Sequence, residues 1–203
     1  MTKLLYIEAS PRKKRSASID IAKCFLEEYR KNHPQDEVVT IDLWNKDLPA
    51  FDGDVIDAKY AIMHGQKHTP EQAKAWKAVE ALIAEFKSGD KYLFSLPMWN
   101  FGIPYKLKHY IDLLVQPGYA FKVSEKGYEG LVKGKKAQMI YARGGEYGSE
   151  ASVDMQKKYM ETILGFIGFE NIHSILVEPT LSEKKEGAVT QAKQQAKAQA
   201  AVF

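Results

Sequence analysis

Short apolar runs alternate with amphipathic helical segments along nearly the whole chain of 203 residues. Five runs have the length and composition of buried strands, and each is followed by a segment whose apolar residues recur with helical spacing. The runs cover residues 4–7, 37–43, 91–96, 136–142 and 172–177. The order βαβαβαβαβα predicts an α/β fold in three layers, a parallel sheet with helices on both faces.

Five strands favour the flavodoxin-like doubly wound order 2-1-3-4-5 over the six-stranded dinucleotide-binding fold. Thr69, Pro70 and Gln72 form a clear helix start, with an N-cap, a proline in the first turn and a capping-box partner. Residues 44–68 are harder to assign, with a short helix expected near 55–65. Residues 116–135 contain four glycines and no helical period, so we expect a loop there. With no internal repeat or boundary, residues 1–203 are predicted to form a single domain.

Composition excludes several classes of protein. The formal net charge of +3 is too small and dispersed to indicate nucleic-acid binding, and it argues against an acidic electron carrier. The one cysteine, Cys24, excludes an internal disulfide or a multi-cysteine metal site, and its place in the first helix favours a small core residue. No apolar run approaches the ~20 residues of a membrane span, and the start lacks a signal-peptide pattern. We therefore expect a cytoplasmic protein without a metal or membrane partner.

Unusual residues follow strands one, three and four, and the carboxyl ends of parallel strands are where such folds bind ligands. After strand one, a basic PRKKR loop separates Ser10 from Ser16 and Ser18, which open a helix. Helix N-terminal N–H groups and hydroxyls suit a phosphate, and we expect the serines, not the lysines, to make the direct contacts. The alternative is an ordinary capped helix with a solvated basic loop.

This first loop also excludes some chemistry. It matches neither the nucleoside-triphosphate loop G-x-x-x-x-G-K-[ST] nor the dinucleotide pattern G-x-G-x-x-G. It holds no cysteine followed by arginine, so a phosphatase acting through a thiolate lacks its nucleophile. Hydroxyl donors without a nucleophile suit holding a phosphate group without transferring it.

The loops after strands three and four complete the pattern. Met98, Trp99, Asn100 and Phe101 offer apolar faces and one amide for a planar heteroaromatic ring, although such a loop can also simply pack on the core. Gly144 and Gly145 expose backbone N–H groups that suit a carbonyl edge or a developing anion, although a tight turn is the alternative. Together the three loops describe flavin mononucleotide (FMN).

The same residues resemble a known family. The chain is similar to the FMN-dependent NADH-azoreductases, also described as NADH:quinone oxidoreductases, along its whole length. The resemblance is carried by the following stretches: SPR at the end of the first strand, SAS at the helix start, PMWNFGIPYKLKHYIDLL, GYAFKVSEKGYEGLVKGKKA, ARGG and LGFIGF. It implies a flavodoxin-like fold, a homodimer, and FMN held non-covalently at the dimer interface.

The resemblance also implies roles for individual residues. It implies that the phosphate is held by Ser10, Ser16, Ala17 and Ser18. The isoalloxazine ring would be lined by Met98, Trp99, Asn100 and Phe101. Its pyrimidine edge would be bordered by Ala142, Arg143, Gly144 and Gly145. The family often has serine where this chain has Ala142 and tyrosine where it has Val123, which affects flavin tuning and substrate range.

The implied reaction is a ping-pong transfer of two electrons from NADH or NADPH to quinones or azo compounds, with no catalytic acid or base and no metal. The flavin would carry the chemistry, and the protein would supply position and access. The alternative from another class is a flavodoxin-type electron carrier without its own small-molecule substrate. The mild positive charge and the long segment 116–135 count against that alternative.

Overall fold

The computed structural model describes residues 1–147 and 152–203. In chain order the elements are β1 (Lys3–Glu8), α1 (Ala17–Asn32), β2 (Glu37–Asp42), α2 (Gly53–Met63), α3 (Pro70–Lys87), β3 (Lys91–Pro97), α4 (Tyr105–Leu114), β4 (Phe121–Ser124), β5 (Gly127–Gly130), β6 (Lys136–Ala142), α5 (Met155–Ile167), β7 (Asn171–Val177) and α6 (Lys185–Val202). A 3-10 turn, Lys13–Arg15, precedes α1.

The five long strands form one parallel sheet in the order β2-β1-β3-β6-β7. Counted without the short strands β4 and β5, this is the predicted order 2-1-3-4-5, and the flavodoxin-like fold class is confirmed. The winding reverses between β1 and β3, so a crevice opens beyond their carboxyl ends.

Alternate residues of each central strand face opposite layers of helices, as the period of two in a strand requires. In β1, Leu4 and Tyr6 pack on α1 and α6, whereas Leu5 and Ile7 pack in the larger core under α3, α4 and α5. All four are at least 97% buried, which explains why the strand is an unbroken apolar run. Cys24 is buried in α1, as the sequence indicates.

The helix boundaries follow local signals. At the start of α3, Thr69 and Gln72 form the expected capping box, with Pro70 at the first helical position. Asp154 caps α5 by accepting from the Lys157 N–H, and Gly168 ends that helix at a φ of 113°. In the part of the chain that the structure describes, no helix is long and apolar enough to cross a membrane.

The segment 116–135 is not the irregular loop expected from its glycines. It contains an antiparallel hairpin of β4 and β5, which turns through Glu125 and Lys126, and Gly127 follows the turn with a φ of 99°. The hairpin packs on α5, since the rings of Phe121 and Tyr128 lie 4.8 and 5.6 Å from that of Phe166. Gly130 permits this contact, because a Cβ there would lie 2.3 Å from the backbone of Ile167.

Candidate functional site

A cavity of about 200 Å³ opens beyond the carboxyl ends of β1, β3 and β6. It joins the three loops singled out in the sequence with a fourth segment that follows β7. Its lining residues are Ser10, Arg12, Arg15, Ser16, Ala17, Pro97, Met98, Trp99, Ala142, Gly144, Thr180, Leu181 and Lys185. Seven of the twelve predicted site residues therefore meet in one place: Ser10, Ser16, Ala17, Met98, Trp99, Ala142 and Gly144.

One end of the cavity is the start of α1. Ser16 is the N-cap, and its Oγ accepts from the Ile19 N–H at 3.4 Å. The N–H groups of Ala17 and Ser18 lie in the first turn, where helical hydrogen bonding supplies no partner. Ser10 is 99% buried, with its Oγ 3.4 Å from the Arg12 nitrogen that donates to it. The Oγ of Ser18 lies 3.1 Å from that of Ser16 and does not line the cavity. Donors of this kind at a helix N-terminus suit an anion.

The basic loop divides into two parts. Lys13 has a φ of 47°, and its Nζ turns away from the cavity to Glu8 at 2.7 Å and Asp42 at 2.5 Å. Burial alone would lower the pKa of Lys13, but the hydrogen bonds to these two carboxylates outweigh it and raise that pKa. This ion pair fastens the loop to the ends of β1 and β2 and leaves Arg12 and Arg15 at the cavity.

The loop after β3 is a tight hairpin turn. The backbones of Trp99 and Gly102 bond to each other in both directions, at 3.1 and 2.9 Å. Between them Asn100 and Phe101 have φ values of 48° and 67°, the left-handed pair of a type I′ turn. Asparagine tolerates that conformation and phenylalanine does so at a cost of order 1 kcal/mol, which makes Phe101 a strained residue. The turn holds Trp99 at the cavity and leaves Phe101 49% exposed.

A second hollow, of about 580 Å³, lies on the other side of Trp99. Part of its wall is aromatic, because Phe51, Trp99 and Tyr105 line it, and the Trp99 and Tyr105 rings lie 6.3 Å apart. Asn100 lines this hollow and not the first cavity, and the Nε2 of His109, another lining residue, lies 2.9 Å from Pro49 O. Trp99 is the wall that the two spaces share.

The loop after β6 is joined to the loop after β3 by the Met98 N–H, which donates to Ala142 O at 2.8 Å. Ala142 and Gly144 line the cavity, and a Cβ on Gly144 would lie 2.8 Å from the Leu181 Cδ1. Gly145 lies beside the Tyr147 ring, outside the cavity lining.

The Arg143 side chain also lies outside the cavity lining. Its fully buried guanidinium pairs with Asp154 and with Glu178, the latter at 3.2 Å, and donates to Gln156 at 3.3 Å. Glu178 also accepts from the Tyr147 N–H at 3.2 Å. This network ties β6, α5 and the end of β7 together behind the glycine turn.

The fourth wall, formed by Thr180, Leu181 and Lys185, was not predicted from the sequence. It is fixed to the glycine turn, since the Thr180 N–H and Oγ1 donate to Arg143 O at 2.9 and 2.8 Å. Leu181 is 78% exposed, an unusual position for a leucine beside a cavity. Chemically, the whole site offers an anion end, an aromatic face and a backbone-rich edge.

Comparison with known proteins identifies the family. Residues 2–200 match the family model described as a flavodoxin-like fold. The chain is 53% identical over 186 residues to a protein of Desulfotalea psychrophila named FMN-dependent NADH:quinone oxidoreductase, covering 90% of this chain and 88% of that protein. A protein of the same name from Nitratidesulfovibrio vulgaris is 45% identical over 206 residues, covering 97% and 99%.

Solved structures give the same picture. An azoreductase from Bacillus anthracis superposes with a TM-score of 0.93 at 34% identity and full coverage of both chains. A second structure from that species, an FMN-dependent NADH-azoreductase in complex with FMN, has a TM-score of 0.93 at 30% identity, covering 100% of this chain and 99% of the other.

Proposed function

The chain belongs to the flavodoxin-like family of FMN-dependent NADH:quinone oxidoreductases, and we propose that it transfers two electrons from NADH or NADPH to quinones and reductively cleaves aromatic azo compounds. The protein is an oxidoreductase that depends on FMN, with NADH as the donor. The particular acceptors and the order of the half-reactions are parts of the proposal.

The observation that carries the proposal is the convergence of three separate loops, with their expected chemistry, on one cavity. The donor set fits FMN: the serine hydroxyls, the N–H groups of the first turn of α1, and Arg12 and Arg15 suit a phosphate. Met98 and Trp99 suit the faces of a flat ring. At the far end, the absence of a side chain on Gly144 leaves space next to Leu181 that a Cβ would fill.

We propose the following roles for the site residues. Ser10, Ser16, Ala17 and Ser18 hold the phosphate, with Ser18 contributing its N–H and orienting the Ser16 hydroxyl. The ring is surrounded by Met98, Trp99, Asn100 and Phe101, of which Asn100 and Phe101 would contact it from the strained turn. Ala142, Gly144 and Gly145 border the pyrimidine edge, and Arg143 fixes their backbone. Each N–H bond to that edge would contribute ~1–2 kcal/mol.

The chemistry of the site needs no protein acid or base. FMN, when bound, accepts a hydride and passes two electrons on, so the protein's tasks are to bind, orient and exclude water. The hollow beside Trp99 would receive the nicotinamide donor and the acceptor in turn, which is a ping-pong scheme. Initial-rate lines against NADH at several quinone concentrations should be parallel, and intersecting lines would contradict the scheme.

We also propose that the protein is a homodimer. Several large apolar side chains are exposed, more than a monomeric surface usually carries, and two of them, Trp99 and Leu181, line the cavity. These exposed side chains are Trp99, Phe101, Tyr105, Val123, Tyr128, Met155 and Leu181. Sedimentation velocity of the FMN-loaded protein should give twice the chain mass of 23.0 kDa. A monomer with FMN bound would contradict the proposal.

The central experiment is purification followed by turnover. The protein should be yellow, with the absorbance of oxidised flavin, and should consume NADH when menadione or methyl red is added. A yellow protein that oxidises NADH with neither acceptor, yet passes electrons to a protein partner, would support the electron-carrier alternative. A colourless protein that FMN does not reconstitute would overturn the proposed function.

A further inference from the structure

The start of α6 lies beside the start of α1. The two helices pack through a stripe of small residues, Ala192, Ala196 and Ala200, each at least 99% buried. The Cys24 thiol contacts Lys193 O at 3.7 Å, and Lys193 Nζ lies 2.8 Å from an Asp20 carboxylate oxygen. Cys24 is the eighth residue of α1 and Lys193 the ninth of α6. The helices run in the same direction, since Phe203 at the end of α6 packs on Phe25 and Tyr29 of α1. At 1.5 Å per residue, the two N-termini therefore begin within about one turn of the same height.

The connection before α6 is held at the same cavity. Its Thr180 and Leu181 N–H groups donate to Gly144 O at 3.2 Å, in addition to the Thr180 bonds to Arg143 O. The first residue of α6, Lys185, lines the cavity together with Arg15 and Ser16. Basic residues thus line the cavity on two sides, from the first basic loop and from α6.

Two adjacent lysines at this point have different surroundings. Lys184 is occupied by Glu146, at 3.0 Å, and does not line the cavity. Lys185 lines the cavity and, within residues 1–147 and 152–203, makes no salt bridge. The flanking Glu183 and Glu186 are not among the cavity residues. Lys185 therefore stands at the cavity without a carboxylate partner among the described residues, and its exposed side chain can turn toward the anion end.

We propose that Lys185 is a specificity-determining residue that binds the FMN phosphate from the α6 side, opposite the serines and arginines of the first loop. A phosphate monoester carries between one and two negative charges near pH 7, and the backbone donors of α1 with Arg12 and Arg15 meet it from one side only. A lysine ammonium at the adjacent helix start adds a positive charge on the other side. This inference rests on the proposed function, since it concerns the same cofactor.

Binding of FMN and of riboflavin, which lacks the phosphate, tests the inference directly. The full-length protein is stripped of flavin, and each ligand is titrated by quenching of flavin fluorescence. Lys185→Gln should raise the Kd for FMN about fivefold at low salt and less in 0.5 M salt, while leaving the Kd for riboflavin unchanged. Lys185→Arg should keep the affinity for FMN, and the matched control Lys184→Gln should change neither Kd.

The outcomes separate the two proposals. Tight FMN binding that Lys185→Gln does not weaken would overturn the inference and leave the proposed function standing. An equal loss of FMN and riboflavin affinity would also overturn it, because the lysine would then act through the fold and not through the phosphate. Failure of the unaltered protein to bind FMN would overturn the proposed function, and the inference with it.

Discussion

Replacing Arg143 by methionine should destabilise the protein severely although the side chain does not line the cavity. The guanidinium is fully buried, and the side chains of Asp154 and Glu178 are 4% and 9% exposed, so the substitution leaves two carboxylates without their cation away from water. Breaking such a pair costs about 3–5 kcal/mol. We expect the lower part of this range, because Asp154 keeps the Lys157 N–H and Glu178 keeps the Tyr147 N–H.

Urea unfolding followed by circular dichroism measures the loss. A decrease of ~3 kcal/mol in the free energy of unfolding corresponds to roughly 6–12 °C in Tm for a chain of this size. The control is Lys184→Met, which removes the exposed pair with Glu146 and should cost less than ~0.5 kcal/mol. Arg143→Lys keeps the charge but loses the planar fork, so its loss should fall between the two.

A double substitution shows whether the unpaired charge is the cause. Asp154→Asn keeps a side-chain acceptor for capping α5 but removes one of the stranded carboxylates. Combined with Arg143→Met, it should cost at least ~1 kcal/mol less than the sum of the single changes. Additive losses, or a loss below ~1 kcal/mol for Arg143→Met alone, would refute the electrostatic reasoning and indicate simple packing.

Three further predictions concern the loops of the cavity. Gly144→Ala should shift the flavin reduction potential. It should change the free energy of unfolding by less than ~1 kcal/mol, because the exposed Leu181 side chain can move aside. Redox titration and urea unfolding measure the two quantities, and an unchanged potential would contradict the role of that edge. Phe101→Asn should raise the free energy of unfolding of the flavin-free protein by about 0.5–1 kcal/mol by relieving the left-handed strain, and should weaken FMN binding; no gain in the urea midpoint would contradict it. Burial alone would raise the pKa of Asp42, but the hydrogen bond from Lys13 outweighs it and lowers that pKa, so this carboxylate stabilises the fold above about pH 4 and less as the pH falls. Lys13→Met should therefore reduce the free energy of unfolding at neutral pH and differ less from the unaltered protein in acid. Unfolding at a series of pH values measures this difference.

The centre of the sheet could be predicted because β1, β3 and β6 are buried on both faces and therefore read as largely apolar runs. The hairpin could not, since Lys122, Val123 and Ser124 of β4 are exposed and polar residues alternate there with few apolar ones. Its glycines gave the appearance of a loop, while Gly130 in fact serves close contact with α5. The capping box at Thr69 was reliable because it depends only on residues within one turn.

The site could be predicted as far as topology reaches. Loops after strands one, three and four had to meet at one edge of the sheet, and they do. The direction of single side chains could not be predicted, because it depends on partners distant in sequence: Lys13 turns to Asp42, and Arg143 turns to Glu178. The segment ending in Lys185 was not predicted to line the site, because its largely polar sequence carries no motif.

Because α6 docks beside α1, one side of the cavity is synthesised near the beginning of translation and the other near its end. Ser10 and Ser16 leave the ribosome early, whereas Lys185 follows only after the last strand of the sheet. The alanine stripe of α6 buries little apolar surface for a helix of 18 residues, so its docking gains less from burial than that of a leucine-rich helix. A ligand that contacts both sides would then stabilise the docking of the last helix against the first. The concentration of the cofactor would therefore determine how long newly made molecules remain sensitive to proteases.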